Sequence, residues 1–228
     1  MDPIQLWHNA PLALLTLGTA LNFALLYLGF AWLATFVTER LLPKLGIGRV
    51  IDARVRPAGQ RRRETKLSIV AVCMFALWTP VVGGLDRAGV IHIDTSFELG
   101  WIVLELALLL VWNEAHFYLV HRVLHTKWLY KHVHAVHHRS TVPSPFSTYA
   151  MHPIEALLLG SIMLPPMFFF DLHYNTLLLY PVASLALNTL GHCNYTVDGF
   201  LSKCARAHVE HHQKNTKSFG FVVGGIGR

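Results

Sequence analysis

"LALLTLGTALNFALLYLGFAWLATFV" (residues 12–37) is an almost wholly apolar run, and no charged side chain occurs between Pro3 and Val37. About 20 apolar residues are enough for a helix to cross the hydrocarbon core of a bilayer. The run is too long for a cleaved signal peptide and lacks the basic start of one. We therefore predict a transmembrane helix here, rather than a buried helix of a soluble domain.

The rest of the 228-residue chain also has the composition of a membrane protein. Hydrophobic residues make up 53% of it and charged residues only 14%, and the mean hydropathy is +0.41. Four further apolar segments follow, at residues 67–85, 99–120, 156–170 and 177–190. The last two contain prolines and could form a hairpin or a re-entrant pair. We expect an all-α integral membrane protein with four to five transmembrane or re-entrant helices.

The distribution of basic residues predicts the orientation in the membrane. Nine of the 19 basic residues lie in segment 39–66, directly after the first apolar run, which is typical of a cytoplasmic loop. Threading the remaining segments from this loop leaves only Arg87 on the outer side and places twelve of the fifteen histidines on the cytoplasmic side. This placement argues against a nucleic-acid partner despite the net charge of +6. The three cysteines form no CxxC pair and predict free thiols.

Histidines are concentrated in two stretches, "HRVLHTKWLYKHVHAVHH" (121–138) and "HVEHH" (208–212). Positions i, i+3 and i+4 of a helix share a face, so each cluster is expected to present its imidazoles to one point. Neutral imidazole is a common ligand of iron, zinc, copper and nickel. With His192 in "GHCNY", the clusters supply nine candidate ligands, enough for two metals with open positions: His121, His125, His134, His137, His138, His192, His208, His211 and His212.

Other polar residues near the clusters have less specific interpretations. Glu114 lies seven residues before His121 and belongs to the same helical stripe. His152 is interpreted as a further ligand or as a residue that holds a ligand in place. The isolated histidines are expected to be interfacial or packing residues: His8, His92, His132 and His173.

From about Glu114 to Phe221 the sequence resembles the fatty acid hydroxylase superfamily, the membrane di-iron family that includes sterol desaturases. The resemblance rests on "YLVHRVLH", "HAVHHRSTVPSPFSTYAMHP", "GHCNY" and "HVEHHQKNTKSFGF", in that order. The context "HHRSTVPSPF" followed by "HP" is most similar to bacterial sterol C5-desaturase-like proteins.

The resemblance implies a cofactor, a reaction and partners. The nine histidines would hold two iron ions, which zinc can replace in purified protein, and O2 would be the co-substrate. The substrate would be a sterol-like or fatty-acyl lipid, hydroxylated or desaturated with electrons from an external donor of the cytochrome b5, ferredoxin or rubredoxin type. Further ligands or ligand-holding residues would be His152, Glu114 and Asn188. Independently of the resemblance, removal of hydrogen from an alkyl chain needs a dry, apolar cleft. We interpret Trp128, Phe146 and Tyr149 as walls of this cleft, with ordinary packing or a place at the membrane interface as an equal alternative for each.

The resemblance also implies an architecture. Membrane helices in residues 1–113, with the basic cytosolic loop 39–66, would precede a catalytic domain in residues 114–228 that includes a membrane hairpin at 154–190. A histidine-rich helical cap would lie on the cytoplasmic face, in a bacterial inner membrane rather than the endoplasmic reticulum. Family members usually continue after the final "GF" with W-D-x-x-F-G, whereas this chain ends "GFVVGGIGR". We therefore expect a truncated or divergent C-terminus.

Three alternatives stay open from the sequence. A histidine-rich metal transporter should place ligands near the bilayer midplane, whereas these clusters flank the apolar segments. A zinc hydrolase would need fewer ligands and a general base. An inactive relative would keep the ligands without the activity.

Overall fold

The computed structural model describes residues 3–214 and 219–222, and helices dominate it. In this part of the chain the α-helices are α1 (Pro3–Asn9), α2 (Leu12–Phe36), α3 (Leu42–Lys44), α4 (Gln60–Ala76), α5 (Trp78–Arg87), α6 (Leu99–Leu124), α7 (Lys127–Leu129), α8 (Ala135–His138), α9 (Pro153–Gly160), α10 (Leu164–Met167), α11 (Tyr174–His192) and α12 (Phe200–Lys214). The C-terminal residues that were predicted to be truncated or divergent lie largely after residue 222, outside the described part of the chain.

Short turns and strands connect the helices. Two π-helical turns (Val37–Leu41 and Tyr130–His134) and two 3-10 turns (Pro145–Ser147 and Ser161–Met163) extend or join them. The strands, each of two residues, are β1 (Arg49–Val50), β2 (Ile93–Asp94), β3 (Leu172–His173) and β4 (Tyr195–Thr196). β1 pairs antiparallel with β4, with Arg49 opposite Thr196, and β2 pairs parallel with β3.

Three helical stretches are long and apolar enough to cross a bilayer: Leu12–Lys44, Gln60–Arg87 and Leu99–Leu124. They coincide with the first three predicted apolar segments. Only 17%, 28% and 11% of the residues in their most apolar windows are buried within the protein, and many large apolar side chains of the first and third stretches are exposed. An outward apolar surface of this extent fits a lipid environment. The prediction of an all-α membrane protein is confirmed.

The last two predicted apolar segments form shorter helices. The stretch Pro153–Met167 is interrupted by the turn Ser161–Met163, and α11 continues as a helix through Pro181. Gly160, at the end of α9, lies against α4 and α5, where an added Cβ would come within 2.9 Å of Phe75 and Trp78. The absence of a side chain therefore allows α9 to pack closely on these helices.

The basic segment 39–66 is more ordered than the predicted loop. Its last residues form the first turns of α4, and β1 attaches it to β4. Asp52 donates its backbone N–H to Asn194 Oδ1 and accepts at its carbonyl from Asn194 Nδ2, both at 2.9 Å. Gly48 has a φ of +77°, and a side chain there would collide with the carbonyl of Thr196. The segment is thus held against the chain that follows α11.

Residues 139–152, which connect α8 to α9, are mostly buried between the helices. The carbonyl of Phe146 accepts hydrogen bonds from Tyr27 (2.8 Å) and Ser68 (3.1 Å). Ser144 donates to Glu64 Oε2 at 2.6 Å. These bonds satisfy polar groups that burial would otherwise leave unpaired. They also fix the segment that follows the first histidine cluster against α2 and α4.

Candidate metal centre

Four parts of the chain bring the nine predicted ligands together at one end of the helices. His121 lies in the last turn of α6, and His125 directly follows the end of that helix at Leu124. The turn before α8, α8 itself, the last residue of α11 and the helix α12 supply the others: His134, His137, His138, His192, His208, His211 and His212. Eight of the nine side chains are at most 6% exposed, and His125 is half-buried.

The nine imidazoles form two adjacent groups, each with its nitrogen atoms within 4.8 Å of one another. One group has five members: His121, His125, His134, His138 and His211. The other group has four: His137, His192, His208 and His212. We refer to them as the five-histidine group and the four-histidine group.

Each HxxHH motif contributes to both groups, in opposite ways. In the first motif His134 and His138 join the five-histidine group and His137 joins the other. In the second motif the outer pair joins the four-histidine group and His211 crosses to the five-histidine group. Adjacent helical residues point roughly 100° apart because a turn holds about 3.6 residues. The expectation that each cluster points to one place is therefore wrong for both HxxHH motifs.

The proton positions of the rings fit a bound cation. His137 donates its Nδ1–H to the carbonyl of Ala150 (3.3 Å), and His192 donates to that of Asn188 (2.8 Å). A carbonyl oxygen can only accept, so a neutral ring of this kind carries a bare lone pair on Nε2. The two Nε2 atoms nevertheless face each other at 3.5 Å. Two lone pairs repel at this distance unless a cation lies between them.

The five-histidine group repeats this arrangement at shorter distances. His121 donates its Nδ1–H to the carbonyl of Phe219 (2.6 Å), and His134 Nδ1 lies 2.8 Å from Glu155 Oε1. Their Nε2 atoms are 3.0 Å apart. His211 Nε2 lies 3.1 Å from both His121 Nε2 and His125 Nε2. Both groups therefore offer converging nitrogen lone pairs, the donor set that a transition metal takes.

Burial favours the neutral form of several of these rings. Burial is the largest cause that lowers the pKa of His125 to about 3, followed by electrostatic interactions with the neighbouring His134 and His211 rings. Burial also holds the pKa values of His137, His208 and His212 well below the usual range of histidine. Removing a charged imidazolium from water is unfavourable, so the neutral form prevails at neutral pH. Neutral imidazole is the form that binds a metal.

The fatty acid hydroxylase family model matches residues 106–226, more than half of the chain. The chain belongs to this family. The matched residues contain all nine histidines and α11. The resemblance predicted from the sequence is thereby confirmed.

Curated members and relatives of the family match parts of this chain. Methylsterol monooxygenase 2-1 of Arabidopsis thaliana is 35% identical over 105 residues, which cover 45% of this chain and 39% of the relative. Fatty acid hydroxylase domain-containing protein 2 of Macaca fascicularis is 32% identical over 125 residues, or 54% and 36% of the two chains. Lathosterol oxidase of Rattus norvegicus is 38% identical over 65 residues, or 28% and 22%. This chain thus aligns with well under half of the length of each of these relatives. No solved structure matches it.

Residues that the sequence did not single out hold several of the rings. Glu155 in α9 is 2% exposed and binds His134, which is 1% exposed. Backbone carbonyls of Ala150 and Phe219 bind two others. Such partners fix the orientation of a ligating ring and its tautomer. An acidic residue in the first turn of a helix ordinarily indicates only a favourable interaction with the helix dipole, so Glu155 gave no specific signal.

The three predicted accessory residues have different positions. Asn188 accepts the His192 bond through its backbone carbonyl and so orients a ring of the four-histidine group. His152 instead caps α9, where its Nδ1 accepts from the N–H of Ile154 at 3.2 Å. Glu114 lies on α6 outside both groups and interacts electrostatically with Cys204. Neither His152 nor Glu114 joins the nine.

A mostly apolar cavity of about 310 Å³ leads from the histidines into the helices. Tyr149, one of the three predicted cleft residues, lines it. Phe146 is buried in the core against Trp32, with ring centroids 5.3 Å apart, and Trp128 is 65% exposed beside His132. These two aromatic residues are not among the residues that line the cavity, because one packs in the core and the other points outward.

The isolated histidines lie outside both groups, as expected. His173 takes part in a separate hydrogen-bond network. Its ring Nδ1 lies 2.7 Å from Glu105 Oε1, and its backbone N–H donates to Glu105 Oε2 at 3.0 Å. Thr176 donates to the same carboxylate at 2.7 Å. The hydrogen bond to Glu105 raises the pKa of His173. This network attaches β3 to α6.

Proposed function

We propose that this protein is a membrane oxidoreductase that uses two iron ions and O2 to hydroxylate or desaturate a lipid. The observation that supports this most strongly is the set of facing Nε2 lone pairs in two adjacent buried groups. Their proximity to a mostly apolar cavity adds a place for a lipid. The names of the relatives, a methylsterol monooxygenase and a lathosterol oxidase among them, point to the same class of reaction.

Iron fits the donor set better than zinc does. Structural zinc is almost always four-coordinate. The five-histidine group offers more nitrogen donors than that geometry takes. Imidazole ligands suit iron, which accepts a larger coordination number and can change its oxidation state. We assign one iron ion to each group.

Bound iron would supply the activation of O2, and the chain would supply the position of the substrate. Five of the nine ligand rings line the end of the cavity: His121, His134, His137, His192 and His208. A lipid in the cavity would thus present a C–H bond next to both groups. The mostly apolar walls would keep water away from the reacting atoms and so limit side reactions.

The electron balance requires an external donor. Hydroxylation converts O2, two electrons, two protons and a C–H bond into an alcohol and water. Desaturation consumes the same electrons and protons, removes two hydrogen atoms and gives two waters. We propose a donor of the cytochrome b5, ferredoxin or rubredoxin type.

We further propose that the histidine groups lie on the cytoplasmic face, in a bacterial inner membrane. Basic side chains of segment 39–66 contact the chain next to the first histidine cluster: Arg56 binds the carbonyl of Pro143 and Arg63 that of Arg139. A concentration of basic residues on one side favours the cytoplasm. The division into segments 1–113 and 114–228 also stays a prediction, and the two segments pack together through bonds such as that of Tyr27 to Phe146.

Metal content and Mössbauer spectroscopy test the proposal directly. The full chain would be produced with iron-57, purified in detergent and analysed in its oxidised state. We expect two irons per chain with magnetic coupling between them. Because zinc can displace iron during overexpression, a zinc-containing preparation would be stripped and reconstituted with ferrous iron before measurement.

Matched variants test whether iron binding depends on each of the two histidine groups. His211→Ala removes a ligand of the five-histidine group, His212→Ala one of the four-histidine group, and His132→Ala is the control. We expect the first two to lower bound iron and the control to keep it. A folded protein that takes up no iron after reconstitution would contradict oxygen activation and favour a zinc-dependent or structural role.

A further inference from the structure

The cavity next to the histidines contains a small polar region within mostly apolar walls. Its opposite end reaches Ile93 and Tyr174, on the far side of the helices from the metal groups. Most of its lining residues are apolar, and they come from several helices, among them α5, α10 and α11. Thr19, His116 and Ser184 are among its polar lining residues. Three further ones, Asn113, Tyr149 and Tyr180, form the polar region considered next, and we refer to these three residues as the polar triad.

The amide of Asn113 has an unused hydrogen-bond donor. Tyr180 donates its hydroxyl to Asn113 Oδ1 at 2.6 Å, which fixes which side of the amide faces the tyrosine. The Nδ2 group is then left without a hydrogen-bond partner among residues 3–214 and 219–222. Asn113 precedes His121 by eight residues on α6, which is about 12 Å along the helix axis. The donor therefore lies deep in the cavity, well away from the metal groups.

Tyr149 adds a second unpaired polar group. Its side chain is only 7% exposed, and its ring is held by Phe75 and Phe23, with centroids 5.0 and 6.1 Å away. In the described part of the chain its hydroxyl has no hydrogen-bond partner. The electrostatic interaction with Tyr180 links it to the other two members of the triad. A phenylalanine would fill this space equally well if packing were the only role.

Unpaired polar groups in an apolar cavity are unfavourable, so a native protein normally gives them a partner. An oxygen atom of a ligand would accept from Asn113 Nδ2–H and form a hydrogen bond with the Tyr149 hydroxyl. We propose that the polar triad binds the hydroxyl or carbonyl oxygen of a long apolar lipid, so that the cavity selects an oxygen-bearing lipid over a plain hydrocarbon. This inference rests on the proposed function, because it concerns the substrate of the same site.

The proposal assigns an orientation to the substrate. With its oxygen at the triad, the lipid places a carbon that is remote from that oxygen beside the histidines. A cavity of about 310 Å³ holds one such molecule at the lower end of the usual range for ligand pockets. A straight-chain alcohol or aldehyde and a sterol all carry an oxygen atom that could bind the triad, and competition between lipids of the two kinds distinguishes them.

Competition binding on the iron-loaded full chain in detergent tests the inference. Tritiated 1-hexadecanol is the probe, and the competitors are 1-hexadecanol, hexadecane, cholesterol and cholestane. We expect an oxygen-bearing competitor to bind about tenfold more tightly than its hydrocarbon counterpart, because the latter leaves the triad unpaired. We compare the ratio of the two affinities within each pair, hexadecanol to hexadecane and cholesterol to cholestane. The pair with the larger ratio identifies the substrate as a straight-chain lipid or a sterol.

Variants of the triad test whether these residues cause the difference in affinity between an oxygen-bearing lipid and its hydrocarbon counterpart. Asn113→Leu and Tyr149→Phe should each reduce the ratio to about threefold or less, and the double variant should abolish it. Tyr118→Phe is the matched control, because that hydroxyl binds exposed Arg122 instead. Comparing ratios between variants cancels differences in partitioning of the ligands into micelles.

Two outcomes would overturn the inference. One is equal binding of hexadecanol and hexadecane, and of cholesterol and cholestane, to the wild-type chain, which would mean that a trapped water satisfies the triad. The other is an unchanged ratio in the double variant. Iron content is measured in parallel: normal iron with no oxygen preference refutes this inference alone, whereas failure to bind iron refutes the proposed function.

Discussion

Replacing Glu155 by glutamine should weaken metal binding about 10- to 100-fold without removing any ligand. Glu155 Oε1 lies 2.8 Å from His134 Nδ1, and both side chains are at most 2% exposed. The glutamine side chain has nearly the same shape, so the packing of α9 is retained. What changes is the negative charge that polarises the ring and fixes its orientation.

The magnitude follows from two contributions. A hydrogen bond to a charged group stabilises by about 1.5–3 kcal/mol and a neutral one by about 0.5–1.5 kcal/mol, so the bond to His134 weakens by about 1–1.5 kcal/mol. In addition, Glu155 Oε2 is buried without a hydrogen-bond partner in the described residues, and an amide N–H2 placed there finds no acceptor. Since about 1.4 kcal/mol corresponds to a tenfold change in affinity, the two together account for the expected range.

Chelator competition measures this effect. Metal-loaded wild-type and Glu155→Gln proteins would be titrated with a chelator of known affinity, and retained metal would be determined by mass spectrometry. Glu39→Gln is the control, because that carboxylate binds Arg56 at 2.6 Å instead of a histidine. If Glu155→Gln held its metal within about twofold of the wild type, the role of Glu155 in orienting His134 would be wrong.

Three further predictions concern other parts of the molecule. His137→Ala and His211→Ala should abolish turnover and lower bound metal, whereas His173→Ala should do neither, as judged by metal analysis and a lipid-oxidation assay. Because Glu105 raises the pKa of His173, the protonated ring stabilises the fold below the unfolded pKa of about 6.5, and this stabilisation is lost as the pH rises through the raised pKa. The difference in Tm between wild type and His173→Gln should therefore shrink from about pH 6 to about pH 9. A difference in Tm that stays constant over this range would contradict the role of the Glu105 bond. Gly48→Ala should reduce stability by roughly 1–3 kcal/mol in thermal unfolding, because its φ is +77° and its Cβ would meet the carbonyl of Thr196.

Membrane helices and ligand identities were accessible from the sequence for a simple physical reason. Crossing a bilayer depends on the length and apolarity of one segment, so α2 and α6 could be predicted without knowing their neighbours. Histidine type and spacing likewise suffice to nominate ligands. The nine nominated side chains are the nine that the structure gathers into two groups.

The remaining features depend on contacts between distant segments. Helical geometry by itself separates His137 from His138 and His211 from His212, but which group each ring joins depends on how α8 faces α12. Glu155 acts through packing of α9, and Ala150 and Phe219 act through backbone carbonyls that any residue possesses. Trp128 is exposed and does not line the cavity, since an aromatic residue near a membrane suits an exposed interface as well as a cavity wall.

If each group binds a metal ion as proposed, the sharing of each HxxHH motif between the two groups has a consequence for metal uptake. A first ion that orders the five-histidine group also fixes α8 and α12, and so preorganises the partner rings for a second ion. Occupancy should therefore be cooperative: partly loaded preparations would contain empty and doubly filled molecules, with few singly filled ones. A ligand lost from one group should deplete both ions together, which native mass spectrometry can distinguish from independent loss.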